Sequence, residues 1–376
     1  MTKVPFFDLR DMHAATGVQA EIDAAVLRVS RSGRYILGPE LEAFEAAFAA
    51  YCDNAYCVAT GSGFAALELG LRALGIGPGD EVIVPAHTFV ACWLAVSATG
   101  ARPVPVEPAE GSFLLAPELL EAAVTARTRA VMPVHLYGHP ADLDPIAEVA
   151  ERHGIALLED AAQAHGASYR GRPVGSGHAV AFSFYPGKNL GALGDGGALV
   201  TDDPALADRL RLLRNYGSRE KYRHERRGTN SRLDEIQSAV LAAKLPHLDA
   251  WNDRRRAIAR RYTEAFAGLP GLAVPEAAPW AAPVWHQYVL RTPHREALRD
   301  RLTEAGVGTL IHYPVACHRT PAYAGERIAP RAGLPRAERL AEEVLSLPIG
   351  PHLSDAAVEL VVDAVRAAAL DLPGGG

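Results

Sequence analysis

The chain has 376 residues, enough for two to three domains around a large buried core. Apolar residues make up 49% and charged residues 22%, which excludes a disordered chain, while 34 Gly and 27 Pro point to many turns and no repeat. Net charge is −6 with no block of five or six like charges, so the chain lacks the electrostatic footprint of a nucleic-acid or membrane-surface binder.

The first residues, MTKVPFFDLRDMH, hold no apolar run of signal-peptide length, and no segment approaches the ~20 apolar residues of a membrane span, which predicts a cytoplasmic protein. From 55 to 200, short apolar runs alternate with helical patterns: AYCVA, EVIVP, RPVPV, RAVMPVHL, IALLED, HAVAFSF and GALVT. This spacing predicts a mostly parallel sheet covered by helices on both faces. After the first run, the turn GSG opens a helix with Leu67, Leu71 and Leu74 on one face and Gly75 as its stop.

Helical patterns follow at 203–214, 233–245 and 246–267. In the last of these, Ile258, Tyr262 and Phe266 recur at i, i+4, i+8, so Arg254, Arg255, Arg256, Arg260 and Arg261 are expected on the wet face. Beyond 270, Pro-rich loops interleave with the strand-like VWHQYVLRT and two helical patterns, predicting a smaller C-terminal α+β domain. The large α/β domain is expected over 1–250 and the small one over 251–376. Cys52, Cys57, Cys92 and Cys317 are scattered, with no metal-ligand spacing, and read as small core residues.

In open α/β sheets, ligands sit beyond the carboxyl ends of the strands, so polar residues there are the first candidates. The turn at 60–64 offers free backbone N–H groups to a phosphate. Asp160 ends an apolar run, and with Gln163 three residues on it also reads as a capping box for a following helix. Lys188 follows another run in a Gly-rich loop, five residues after Ser183. The chain has 38 basic residues and only four are lysines, at 3, 188, 221 and 244. Where Arg is the rule, a lone Lys suggests an amine that must lose its proton or act as a nucleophile. Ser231 reads as the cap of the helix at 233–245, with Asp234 at its third position; Asn230 and Arg232 have no such explanation. A phosphate turn, an acid and an amine on an α/β scaffold meet the needs of pyridoxal phosphate.

These residues also resemble the DegT/DnrJ/StrS group of nucleotide-sugar aminotransferases, within the fold-type I pyridoxal phosphate enzymes. The likeness runs from VPFFDL through SGRYILGPELEAFE, GIGPGDEVIVPAHTF, EDAAQAHGA, FSFYPGKNLGALGDGGA, GTNSRLDEIQ and HYPVACH to LSLPIGPHL. The resemblance implies a seven-stranded, mostly parallel sheet. It makes Lys188 the lysine bonded to the cofactor (PLP/PMP) and Asp160 the partner of the pyridine nitrogen, with Gln163 near the ring hydroxyl and Phe89 on the ring face. Amides of Gly63 and Phe64 and the Ser183 hydroxyl would hold the phosphate, joined by Asn230 from the second subunit of a homodimer. His286, His312 and Tyr313 would lie near the sugar or its diphosphate.

Here the turn reads GSGF where many relatives have Asn-Ser-Gly-Thr, which removes a hydroxyl at position 64. The segments LAVSATGARPVPVEP and VHLYGHPADLD are most similar to enzymes that aminate C3 of TDP-3-keto-6-deoxyhexoses, with glutamate as donor. Amination at C4 and a non-catalytic regulatory relative are the alternatives. A related branch that removes a sugar hydroxyl carries His in place of Lys188.

Overall fold

The computed structural model describes residues 3–325, 328 and 333–372. Among them, seven strands lie side by side in the order Arg102–Val106, Glu81–Pro85, Thr128–Val131, 156–160, Val180–Ser183, Gly197–Thr201 and Tyr56–Thr60. The central one breaks at Leu158. Ala156–Leu157 pairs with Thr128–Val131 and Glu159–Asp160 with Val180–Ser183, while the Leu158 N–H donates to the Val131 carbonyl at 3.1 Å and keeps the halves in line. Gly197–Thr201 alone runs antiparallel to its neighbours. Glu81–Pro85 and Gly197–Thr201 are buried at every residue, as strands covered on both faces must be.

The run expected at 129–136 leaves the ladder at Val131, because Pro133 has no N–H to give. Its carbonyl instead accepts the Asp160 N–H at 2.9 Å, and the His135 N–H reaches the Asp160 carbonyl at 3.0 Å. Ser231 does not cap the next helix: Glu235–Lys244 begins behind Asp234, and the Ser231 hydroxyl accepts the Gly61 N–H at 3.0 Å. Glu235, 1% exposed, reaches across the chain to helix Pro39–Tyr51, whose N-terminal N–H groups at Gly38, Glu40 and Leu41 it accepts at 2.8, 2.9 and 3.0 Å. A buried carboxylate thus replaces the side-chain cap that this helix lacks.

A second core gathers helices Leu248–Phe266, Arg295–Glu304 and Asp355–Leu370 over the antiparallel strands Tyr288–Arg291 and Val344–Leu347. The expected division at 250 falls inside helix Leu248–Phe266: Leu248 packs beneath the main sheet, and Ile258, Tyr262 and Phe266 pack in the second core. Arg255 departs from the expected wet face and is 2% exposed. It stands one turn before Ile258 and so shares the apolar stripe. The chain's start belongs to this second core as well, since Val4 exchanges backbone hydrogen bonds with Gly306 and Gly308, both at 2.9 Å. Among the described residues no helix is long and apolar enough to cross a membrane, and no group of His, Cys, Asp and Glu is placed to hold a metal.

Candidate active site

The carboxyl ends of four strands open into a cleft of about 450 Å³, closed on its far side by residues of the second core. Into it project Ser62, Gly63 and Phe64 after Tyr56–Thr60, Thr88 and Phe89 after Glu81–Pro85, Asp160, and Ser183 with Lys188 after Val180–Ser183. His286, His312 and Tyr313 face them.

Helix Gly63–Ala73 starts at the cleft, capped by the Ser62 hydroxyl, which accepts the Ala65 N–H at 3.1 Å. The N–H groups of Gly63 and Phe64 lie in its first turn, where no helix carbonyl can satisfy them. Ser183 is pressed against this turn, so closely that a Cβ at Gly63 would lie 2.5 Å from the Ser183 Cβ and 2.9 Å from its Oγ. Two free amides, a hydroxyl and a helix N-terminus form an anion seat, and a side chain at 63 would fill it.

Asp160 is 5% exposed. The expected capping box is absent, because turns rather than a helix follow. Oδ1 accepts the Ala162 N–H at 2.9 Å, and the Gln163 side-chain Oε1 accepts the Tyr137 N–H at 2.5 Å. The Gln163 amide nitrogen donates to the Tyr313 hydroxyl at 3.2 Å. Oδ2 accepts a hydrogen bond from the Cys92 thiol at 3.0 Å, and burial and the Asp160 charge keep that thiol protonated.

Lys188 sits half-buried on the cleft wall, and its Nζ has no hydrogen-bond partner among the described residues. Desolvation pushes the amine down to about 8, against the opposing pull of Asp160 and Cys92. Its loop is held from several sides. The Lys188 N–H donates to the Tyr185 carbonyl at 2.9 Å, the Asn189 amide to Asn252 and the Val284 carbonyl at 2.9 and 3.2 Å, and the buried Lys244 ammonium to the Gly191 carbonyl at 2.5 Å. The chain's amine is thereby fixed in place while its charge goes unpaired.

Phe89, half-exposed, lies 5.3 Å from the Tyr313 ring. His312 hydrogen-bonds Ser346 at 2.8 Å, and burial pulls its ring down to about 4. His286 is held well below its ordinary value by burial, then by Lys188 and Arg255. The structure brings all of these sequence candidates together except Asn230, which is exposed outside the cleft and bridges to Asn215. Sequence reasoning missed three groups that touch the site: Cys92, Arg255, and Phe6 with Phe7. Cys92 lies one helical turn after Phe89, a spacing that carried the signal.

The model of the DegT/DnrJ/EryC1/StrS aminotransferase family matches residues 17–366. The chain is 61% identical to the dTDP-3-amino-3,4,6-trideoxy-alpha-D-glucose transaminase of Streptomyces venezuelae, over 97% of this chain and 96% of that one. It is 60% identical to the erythromycin biosynthesis sensory transduction protein EryC1 of Saccharopolyspora erythraea, over 97% of this chain and all of its relative. The crystal structure of S. venezuelae DesV in complex with a ketimine intermediate superposes with a TM-score of 0.96 at 60% identity, covering 99% of this chain and 100% of the other.

Proposed function

The chain belongs to the DegT/DnrJ/EryC1/StrS aminotransferase family and is a pyridoxal phosphate-dependent enzyme, and from that premise we propose that it aminates C3 of a TDP-linked 3-keto-6-deoxyhexose. L-Glutamate is the amino donor, and the product feeds amino-deoxysugar (antibiotic) biosynthesis in the cytoplasm. One observation carries the chemistry: an unpaired amine, a buried carboxylate and an anion seat converge in a single cleft. The substrate rests on the 61% identity to the S. venezuelae 3-transaminase.

The residues fit the cofactor. The amides of Gly63 and Phe64 and the Ser183 hydroxyl would take its phosphate, Phe89 and Gln163 would hold the ring, and Asp160 would keep the ring nitrogen protonated. When bound, pyridoxal phosphate supplies an electron sink for charge developing on the carbon that bears the amine. Lys188 would hold the cofactor through its aldehyde until the donor amine displaces it, and the freed amine would then take the proton from the donor carbon and later deliver one to the sugar carbon. An amine held near 8 divides its population between base and acid close to neutral pH, which suits both transfers. Gln163 and Cys92 hold Asp160 and its surroundings in register, and His286, His312 and Tyr313 face the sugar nucleotide. Asn230, outside its own cleft, completes the phosphate seat of the partner in a homodimer.

The test is incubation with TDP-3-keto- and TDP-4-keto-6-deoxyhexoses plus glutamate, followed by NMR of the product and assay of 2-oxoglutarate. The 3-amino sugar is expected. A 4-amino product moves the reaction to C4, and no 2-oxoglutarate with either sugar leaves a regulatory protein. For the dimer, a Lys188→Ala chain mixed with an Asn230→Ala chain should regain activity, and an active monomer in sedimentation would refute shared sites.

A further inference from the structure

Arg255 is a buried cation without a counter-ion. Its side chain lines the cleft beside Phe7, His286 and Ile349, and none of the ion pairs among the described residues includes it. Asp8 and Asp11 act on the neighbouring His352 from outside the cleft, and neither pairs with Arg255. His286 and His312 are kept neutral by burial, His352 has both ring nitrogens buried without a partner, and Asp195 is exposed in the loop after Lys188. Asp160 is engaged by Ala162 and Cys92. A buried unpaired charge is costly enough that a chain keeps one only where something offsets it.

The hydrogen bonds of this guanidinium are one-sided. Nη1 donates to the carbonyls of Trp285, His286 and Ile349 at 3.3, 3.4 and 3.1 Å. Nε is buried with no acceptor, and Nη2 has none among the described residues. The Nε/Nη2 edge is the fork that grips carboxylates elsewhere in this chain: Arg28 holds Glu40 through it at 2.7 and 3.0 Å, and Arg261 holds Glu359 at 2.7 and 2.6 Å. Arg255 therefore has its stapling nitrogen in use and its carboxylate fork free. A purely structural arginine accounts for the first half of that arrangement only.

We propose that the free edge of Arg255 receives a carboxylate of the acidic amino acid that donates the amino group. This deepens the transaminase reading and rests on it. Arg255 and the reacting amine of Lys188 line the same cleft of about 450 Å³, with His286 on its wall, so a carboxylate at the fork and an amine at Lys188 share one space. The planar fork matches a carboxylate, while the phosphate seat stands elsewhere, at Gly63 and Ser183.

Calorimetric titration of the cofactor-loaded enzyme with glutarate, butyrate and TDP tests this in the wild type, Arg255→Lys and Arg255→Met, with thermal unfolding as the folding control. Glutarate should bind at least about tenfold more weakly to Arg255→Met and measurably more weakly to Arg255→Lys, which keeps the charge but loses the fork. TDP affinity should change less than about twofold, and the KM for glutamate should rise while that for the sugar nucleotide holds. If Arg255→Met fails to fold, Arg255→Lys decides. Unchanged glutarate affinity in a folded variant overturns the proposal, as does equal weakening of TDP and glutarate, which marks a structural residue or a diphosphate seat. A wild type that binds glutarate through Arg255 yet forms no amino sugar refutes the transaminase reading and leaves the carboxylate seat standing.

Discussion

Replacing Lys188 by Met should make the cofactor-free protein more stable. In the fold the amine falls from its ordinary 10.5 to about 8, chiefly because desolvation disfavours the charged form. The unfolded chain therefore holds the Lys188 proton more tightly than the native one, and the charged group costs the native state up to about 3 kcal/mol at pH 7. That cost is present in full below pH 8 and fades between pH 8 and 10.5, as the unfolded chain also loses its proton. Met fills similar space without charge, so urea unfolding at pH 7 should give a gain approaching about 3 kcal/mol, less whatever water already reaches the half-buried amine. Repeated at pH 10.5, the gain should shrink to nearly nothing, and transamination should be absent throughout. A variant no more stable than wild type at pH 7, or a gain independent of pH, refutes the argument that this amine is held under strain.

Asp160→Asn keeps the oxygen that accepts the Ala162 N–H and should shift stability by less than about 1 kcal/mol, yet cut transamination at least about 100-fold in steady-state assay. Near-native turnover would reduce Asp160 to a turn-former. Gly63→Ala places a methyl 2.5 Å from the Ser183 Cβ and should weaken cofactor binding by at least about tenfold, read from a titration of cofactor absorbance; unchanged affinity would show that the anion seat lies elsewhere. Glu235→Ala strands three N–H groups at the start of helix Pro39–Tyr51 and should cost about 3 kcal/mol in urea unfolding, with little change in KM for either substrate.

Much of the sheet was legible in the sequence because strands covered on both faces must be apolar along their whole length, and GALVT coincides with strand Gly197–Thr201 residue for residue. Lys188 was legible through scarcity: where arginine supplies nearly all positive charge, a lysine at a strand end stands out. What was not legible depends on partners far away in the chain. Ser231 has the local pattern of a helix cap, but the Gly61 N–H, 170 residues distant, claims its hydroxyl. The Asp160 and Gln163 pair has the spacing of a capping box, yet Tyr137 takes Gln163 and no helix forms. Arg255 read as solvated because arginine usually is, although its position one turn before Ile258 put it on the buried stripe.

The pairing of Val4 with Gly306 and Gly308 sets an order of events during synthesis. Val4 cannot find its place until residues more than 300 positions later have been made, a delay of about 15–60 s at ordinary elongation rates. Through that interval Phe6 and Phe7, which end as part of the cleft wall, remain outside any finished structure. The cleft wall at Phe6 and Phe7 therefore cannot close until Gly306 and Gly308 have been made, and activity should appear later than the folding of the central sheet.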